Sequence, residues 1–119
     1  MRESDKDITR LEHIEKCLNN ISEFTDGISL SDIRLNKEKY YATVYNIMII
    51  GEAANMLTKE FRANHQATQW RDIVNMRNII VHGYYQVEPE IVWSVIKKDL
   101  PVLKQQIGEY IEELKKNIK

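Results

Sequence analysis

The sequence predicts an all-α protein, an antiparallel bundle of four main helices forming one domain over residues 1–119. Three observations lead there. Apolar residues recur every three or four positions through four long stretches, the period of a helix with one buried face. No stretch reads convincingly as a strand, where alternate residues would be apolar. At 119 residues of ordinary globular composition the chain can build one core and not two.

The first helix is expected from about Ser4 to Thr25. Ser4 and Asp7 fit a capping box in its acid form, and Ile8, Leu11, Ile14, Leu18 and Ile21 mark the apolar stripe. His13 reads as an edge-of-core side chain and Cys17 as a small buried apolar group. Gly27 stops the helix. The polar link from Ile28 to Asn36 offers Ser31 or Asn36 as a cap for the second helix, Lys37 to Phe61. Its wide apolar face carries Tyr41, Val44, Ile47, Met48, Gly51, Ala54 and Leu57. Gly51 with Ala53 and Ala54 lets another helix come close, and Glu52 among them calls for a partner, most simply an ion pair holding two helices in register.

A polar loop around His65, itself expected to face solvent, precedes the third helix, with Thr68 or Gln69 before its start. That helix, about Gln69 to His82, carries Trp70, Ile73, Met76 or Arg77, and Ile80 on one stripe, and Gly83 ends it. Val87-Glu88-Pro89-Glu90 opens the fourth, where proline suits the first turn and the acids complement the dipole. Val92, Ile96, Leu100, Leu103, Ile107, Tyr110 and Leu114 form its long seam, with a kink expected at Pro101. So long a seam suggests an apolar remainder covered by a second copy of the chain across a two-fold axis.

The net charge of -1 excludes a broadly basic surface, so any nucleic-acid site has to be a local patch. The lone Cys17 excludes an internal disulfide and favours the reducing cytoplasm. No secretory leader is expected, since the charged amino terminus leads into no apolar run. The longest apolar run, Ile47 to Ile50, is too short to span a bilayer.

Trp70 to Tyr85 reads as the working end. Arg77 and His82 share it, but five residues of ideal helix set them about 140 degrees apart, so they are not stacked as an i, i+4 pair would be. They converge only if the final turn loosens at Gly83 or if the site is shared with another element. Together they suit a phosphodiester. A guanidinium binds two phosphate oxygens and stabilises developing charge, and an imidazole takes a proton from a ribose 2′-hydroxyl or returns one to the leaving oxygen. No metal is expected, since the histidines and acids show no ligand spacing. An arginine and a histidine near a helix end are also common structural features, so spacing alone leaves the matter open.

Arg77-Asn78-Ile79-Ile80-Val81-His82-Gly83-Tyr84 matches R-x4-H-x-Y and resembles the HepT-like toxins of the HEPN superfamily. The likeness extends to Ile49-Ile50-Gly51-Glu52-Ala53-Ala54, to Trp70-Arg71-Asp72-Ile73 with Met76-Arg77-Asn78, to Val87 with Ile91-Val92-Trp93, and to Asp99-Leu100-Pro101, in the same order. The resemblance implies a HEPN-like bundle that dimerises with two R-x4-H segments across a cleft. It implies a metal-independent endoribonuclease, the toxin of a toxin–antitoxin pair in the cytoplasm. Its partner would be an MntA-like minimal nucleotidyltransferase antitoxin, which transfers AMP from ATP to the tyrosine of H-x-Y and so blocks the nuclease. The homodimer could enter a larger toxin–antitoxin hetero-oligomer. No cofactor is implied for the chain itself, ATP being the partner's co-substrate. Carried over residue by residue, Arg77 and His82 are catalytic, Asn78 takes a supporting polar role, as does Glu52, and Tyr84 is the AMPylation site. Where many members of that family have phenylalanine after that tyrosine this chain has Tyr85, a second phenol.

Two other readings of the residues stand beside this one. The chain could be a non-catalytic helical partner or scaffold for a nucleotidyltransferase. It could also be a structural bundle in which Arg77 pairs with Glu52 and His82 caps a helix.

Overall fold

A computed structural model describes residues 3–83 and 88–117, with the side chains of residues 6–80 and 88–117. Among the described residues every element is helical: α1 (Glu3–Thr25), α2 (Leu30–Leu35), α3 (Lys37–Met56), α4 (Lys59–Ala63), α5 (Trp70–Gly83), α6 (Pro89–Ser94), a π-helical turn (Val95–Asp99) and α7 (Leu100–Lys116). Helix α1 lies along α3 and α7, and α3 carries α5 on its other side. The core between them is built from Leu11, Ile14 and Ile21 of α1, Ile47 and Ile50 of α3, and Leu103 and Ile107 of α7. Cys17 is buried there at 5% exposure, and burial pushes its thiol pKa up.

The all-helical expectation holds, and the departures lie at the joints. The link from Ile28 to Asn36 contains α2. Ser29 caps that helix, its hydroxyl accepting from the Asp32 amide while the Asp32 carboxylate accepts from the Ser29 amide. Asn36 then caps α3 by accepting from the Lys39 amide. Gly27, with φ +70°, makes the left-handed turn that stops α1.

The capping box expected at Ser4 and Asp7 does not fit, because α1 already starts at Glu3. Asp7 is buried and serves a distant segment. Its carboxylate accepts from the amide of Thr58 at 2.8 Å and from the Thr58 hydroxyl at 2.7 Å. Thr58 in turn accepts from the Phe61 amide and caps α4. This tie breaks the helix expected to run unbroken from Lys37 to Phe61, and Leu57 turns to extended backbone at the break.

The fourth helix passes through the π turn, where the Leu100 amide donates to the Val95 carbonyl five residues back. Pro101 lacks an amide and its ring crowds the carbonyl four residues earlier, so a wider turn before it relieves the clash. Val92, Ile96, Leu100, Leu103, Ile107 and Tyr110 of the seam are buried within the chain, while Leu114 is only partly covered and Ile91 and Val102 of the same helix are exposed.

His65 does not face solvent. Its side chain is only 11% exposed, stacked on Phe61 at 4.0 Å and edge-on to Tyr110 at 4.7 Å. Its Nδ1 lies 2.7 Å from the Phe61 carbonyl and its Nε2 3.2 Å from a Glu113 carboxylate oxygen. The Trp70 indole donates to the His65 carbonyl. Thr68, rather than capping α5 with its side chain, donates its hydroxyl to the side-chain carbonyl of Gln106 and meets the Tyr110 hydroxyl at 2.7 Å. The loop before α5 is thus pinned to α7, which fixes where α5 begins. His13, by contrast, is exposed.

Candidate active site

Helix α5 is α-helical through Gly83, and it presents Arg77 to α3. The approach is close. A Cβ built on Gly51 would fall 2.2 Å from Arg77 Cβ, 3.1 Å from Arg77 Cγ and 3.1 Å from the Ile73 carbonyl oxygen. Any residue larger than glycine at 51 would push α5 away, so the arginine's stem lies in a notch that only glycine leaves open. Its guanidinium then extends along α3. One terminal nitrogen donates to the Glu52 carboxylate at 3.2 Å and the other to the Asn78 side-chain oxygen at 2.9 Å.

Three of the residues singled out from the sequence, Glu52, Arg77 and Asn78, therefore form one hydrogen-bonded cluster. Glu52 has the partner its position called for, although it is not deeply placed: the two side chains are 43% and 31% exposed for Glu52 and Arg77. Such a pair is partly in water. Gly51 is the member whose role sequence reasoning put only generally, as room for a helix; the specific occupant of that room is the Arg77 stem.

The other end of the motif lies partly outside the described residues. The His82 side chain and all of Tyr84, Tyr85 and Val87 fall there. What the backbone fixes is position: the helix does not loosen before Gly83, so Arg77 and His82 sit on sectors about 140 degrees apart on one helix. The Arg77 cluster is also separate from the apolar trough of about 310 Å³ whose walls include Ile47, Ile73, Met76 and Leu103. Among the described residues no group of three or more histidines, cysteines and acids is placed to hold a metal, and no helix is long and apolar enough to cross a membrane.

A helical bundle with an arginine–asparagine pair opening R-x4-H on a helix notched into a Gly-Glu step defines a class of helical proteins, and comparison with known proteins gives the class its name. The chain belongs to the ribonuclease HepT-like family, whose profile matches residues 14–110. It is 34% identical over 104 residues to a Thermococcus cleftensis protein named "Probable ribonuclease HepT", covering 87% of this chain and 93% of that one. It is 36% identical over 105 residues to a Caldanaerobacter subterraneus protein named "Putative RNase TTE0752", covering 88% and 94% respectively. A Methanocaldococcus jannaschii protein named "Gamma-glutamylcyclotransferase and putative RNase MJ0434" is 36% identical over 107 residues; the match takes in 90% of this chain but 48% of that longer one. No solved structure matches the chain.

Proposed function

We propose that the chain is a metal-independent endoribonuclease, working as a homodimer with Arg77 and His82 as its catalytic residues. The observation that carries the reading is the Arg77 cluster: an arginine side chain 31% exposed, its guanidinium held by Glu52 and Asn78, on the same helix as His82 in a member of a ribonuclease family. The 140-degree separation favours a site shared by two copies, in which the arginine of one need not meet its own histidine. In such a cleft the imidazole of His82 takes the proton of a ribose 2′-hydroxyl. The freed oxygen attacks the adjacent phosphorus, the bond from phosphorus to the 5′-oxygen breaks as an imidazolium returns a proton to that oxygen, and the guanidinium steadies the charge on the phosphoryl oxygens.

In this reading the protein is the toxin of a cytoplasmic toxin–antitoxin pair. An MntA-like nucleotidyltransferase silences it by joining the Tyr84 oxygen to the α-phosphorus of ATP, with pyrophosphate leaving. The AMP group adds a bulky anion two residues from His82, where RNA phosphate would otherwise bind. The test is cleavage of RNA by the purified chain. Parent protein cleaves in the presence of a chelator and His82→Ala does not, with both equally folded. Equal cleavage by the two removes the assignment. Intact mass after incubation with the partner and ATP then shows one AMP on the parent and none on Tyr84→Phe; AMP on that variant points to Tyr85.

One observation favours the structural reading. Arg77 does pair with Glu52, as a bundle needing no catalysis would have it. Under that reading Glu52→Gln and Arg77→Ala cost the same stability and leave cleavage untouched.

A further inference from the structure

Tyr41 and Tyr45 are 58% and 59% exposed on α3, between positions that are buried or partly covered. Tyr41 was expected on the buried face of α3, and its exposure is the departure that calls for an account. On an ideal helix Tyr41, Tyr45 and Glu52 fall within about 40 degrees of one another, with Tyr45 one turn beyond Tyr41 and Glu52 about 10 Å further along. The stripe therefore leads from two exposed rings to the carboxylate that holds Arg77. The Tyr41 ring is braced edge-on by Tyr40 at 5.5 Å, so its face is set before anything binds.

We propose that Tyr41 and Tyr45 form a two-base stacking track for single-stranded RNA, feeding the strand to Arg77; this rests on the ribonuclease reading above. Aromatic faces stack unpaired bases without regard to sequence, and a phenol tolerates water at its rim where an aliphatic side chain would not. Size argues against a second copy as the occupant. Tyr41, Tyr45 and the 58%-exposed Met56 at the far end of the stripe together offer roughly 400 Å², against about 800 Å² per partner in a stable interface. Glu38 lies on the same stripe one turn before Tyr41. Its carboxylate repels the phosphate backbone and limits the track to the two rings.

The experiment uses a short fluorescein-labelled single-stranded RNA of mixed sequence, and the same strand annealed to its complement. Binding is read by anisotropy, cleavage by gel, and oligomeric state by sedimentation, for the full chain and its Tyr41→Ala, Tyr45→Ala and matching phenylalanine variants. Each alanine is expected to weaken single-strand binding and raise KM about tenfold while kcat holds, the phenylalanines to restore both, and duplex binding to stay at the parental level. Parental Kd and KM in both alanine variants overturn the track and leave the nuclease reading standing. A parent that binds but never cleaves removes the nuclease reading, and the binding ratios still decide the track. Alanine variants that change the sedimenting mass overturn it in favour of an interface between copies.

Discussion

The Cα of Gly51 faces the stem of Arg77 so closely that a methyl group there would sit 2.2 Å from Arg77 Cβ and 3.1 Å from the Ile73 carbonyl. Helix α5 lies close against α3 at the residue that carries the charge. Gly51→Ala is therefore expected to destabilise the fold by about 2 kcal/mol, because overpacking typically costs 1–3 kcal/mol and exceeds the gain of up to about 1 kcal/mol in helix propensity. The contrast is Gly108→Ala in α7, where a Cβ meets nothing within 4 Å and about 0.5–1 kcal/mol of stabilisation is expected. Urea unfolding of the two variants should move in opposite directions, and Gly51→Ala should lose cleavage with its displaced arginine. Equal shifts of one sign would mean the notch is not tight.

Much of this architecture could be read from residues alone, and the failures share a cause. Periodicity placed α1, the start of α3 and the whole of α5 because their apolar faces are local patterns. The break at Leu57 was invisible because its cause, Asp7, is far away in the sequence and reaches Thr58 only in the folded chain. His65 misled for the same reason, since nothing local says that Phe61, Tyr110 and Glu113 enclose it. At the site, Glu52 signalled its need for a partner by sitting in a Gly-Ala stretch, and Arg77 answered it. The exposure of Tyr41 gave no signal, because a tyrosine in phase with a stripe reads the same whether covered or bare.

Asp7 makes the second prediction. It is 4% exposed and accepts both hydrogen bonds that Thr58 offers it. Asp7→Ala leaves the Thr58 amide without its acceptor and loosens the start of α4, at an expected cost of about 1–3 kcal/mol. Asp7→Asn keeps one acceptor oxygen and should lose about half of that. Amide exchange at Thr58 should quicken in both, and unchanged exchange there would show that the tie is not what ends α3.

The Arg34 guanidinium of α2 hydrogen-bonds the Glu90 carboxylate of α6. This bond, helped by a backbone hydrogen bond at Glu90 itself and by the nearby charge of Arg34, holds the Glu90 carboxyl below the usual glutamate range. A depressed folded-state pKa stabilises fully above the ordinary value near about 4.3, and that contribution is lost as pH falls through the lower folded value. The α2–α6 tie should therefore persist through mild acid and release only beneath the ordinary range. Carboxyl titration by NMR should show the Glu90 midpoint rising to an ordinary value in Arg34→Ala. A midpoint that stays put would exclude Arg34 as the cause.

The last prediction sets stability against chemistry at Arg77. Its pairing with Glu52 is 3.2 Å long and both side chains are well wetted, at 31% and 43% exposure. Exposed pairs of this kind contribute about 0–1 kcal/mol once solvent screening is allowed for. A double-mutant cycle on Glu52→Ala and Arg77→Ala should accordingly give a coupling energy below about 1 kcal/mol in urea unfolding. Loss of a guanidinium that steadies transition-state charge acts on another scale, about 10²–10³-fold in rate by analogy with removing one such donor. Lysine keeps the charge but not the two-pronged geometry, so Arg77→Lys should unfold almost as the parent does and cleave far more slowly. Glu52→Gln retains an oxygen for the guanidinium and should slow cleavage much less. The reverse pattern, a large coupling in stability with cleavage preserved in Arg77→Lys, would make the pair a strut between α3 and α5 and take the arginine out of the chemistry.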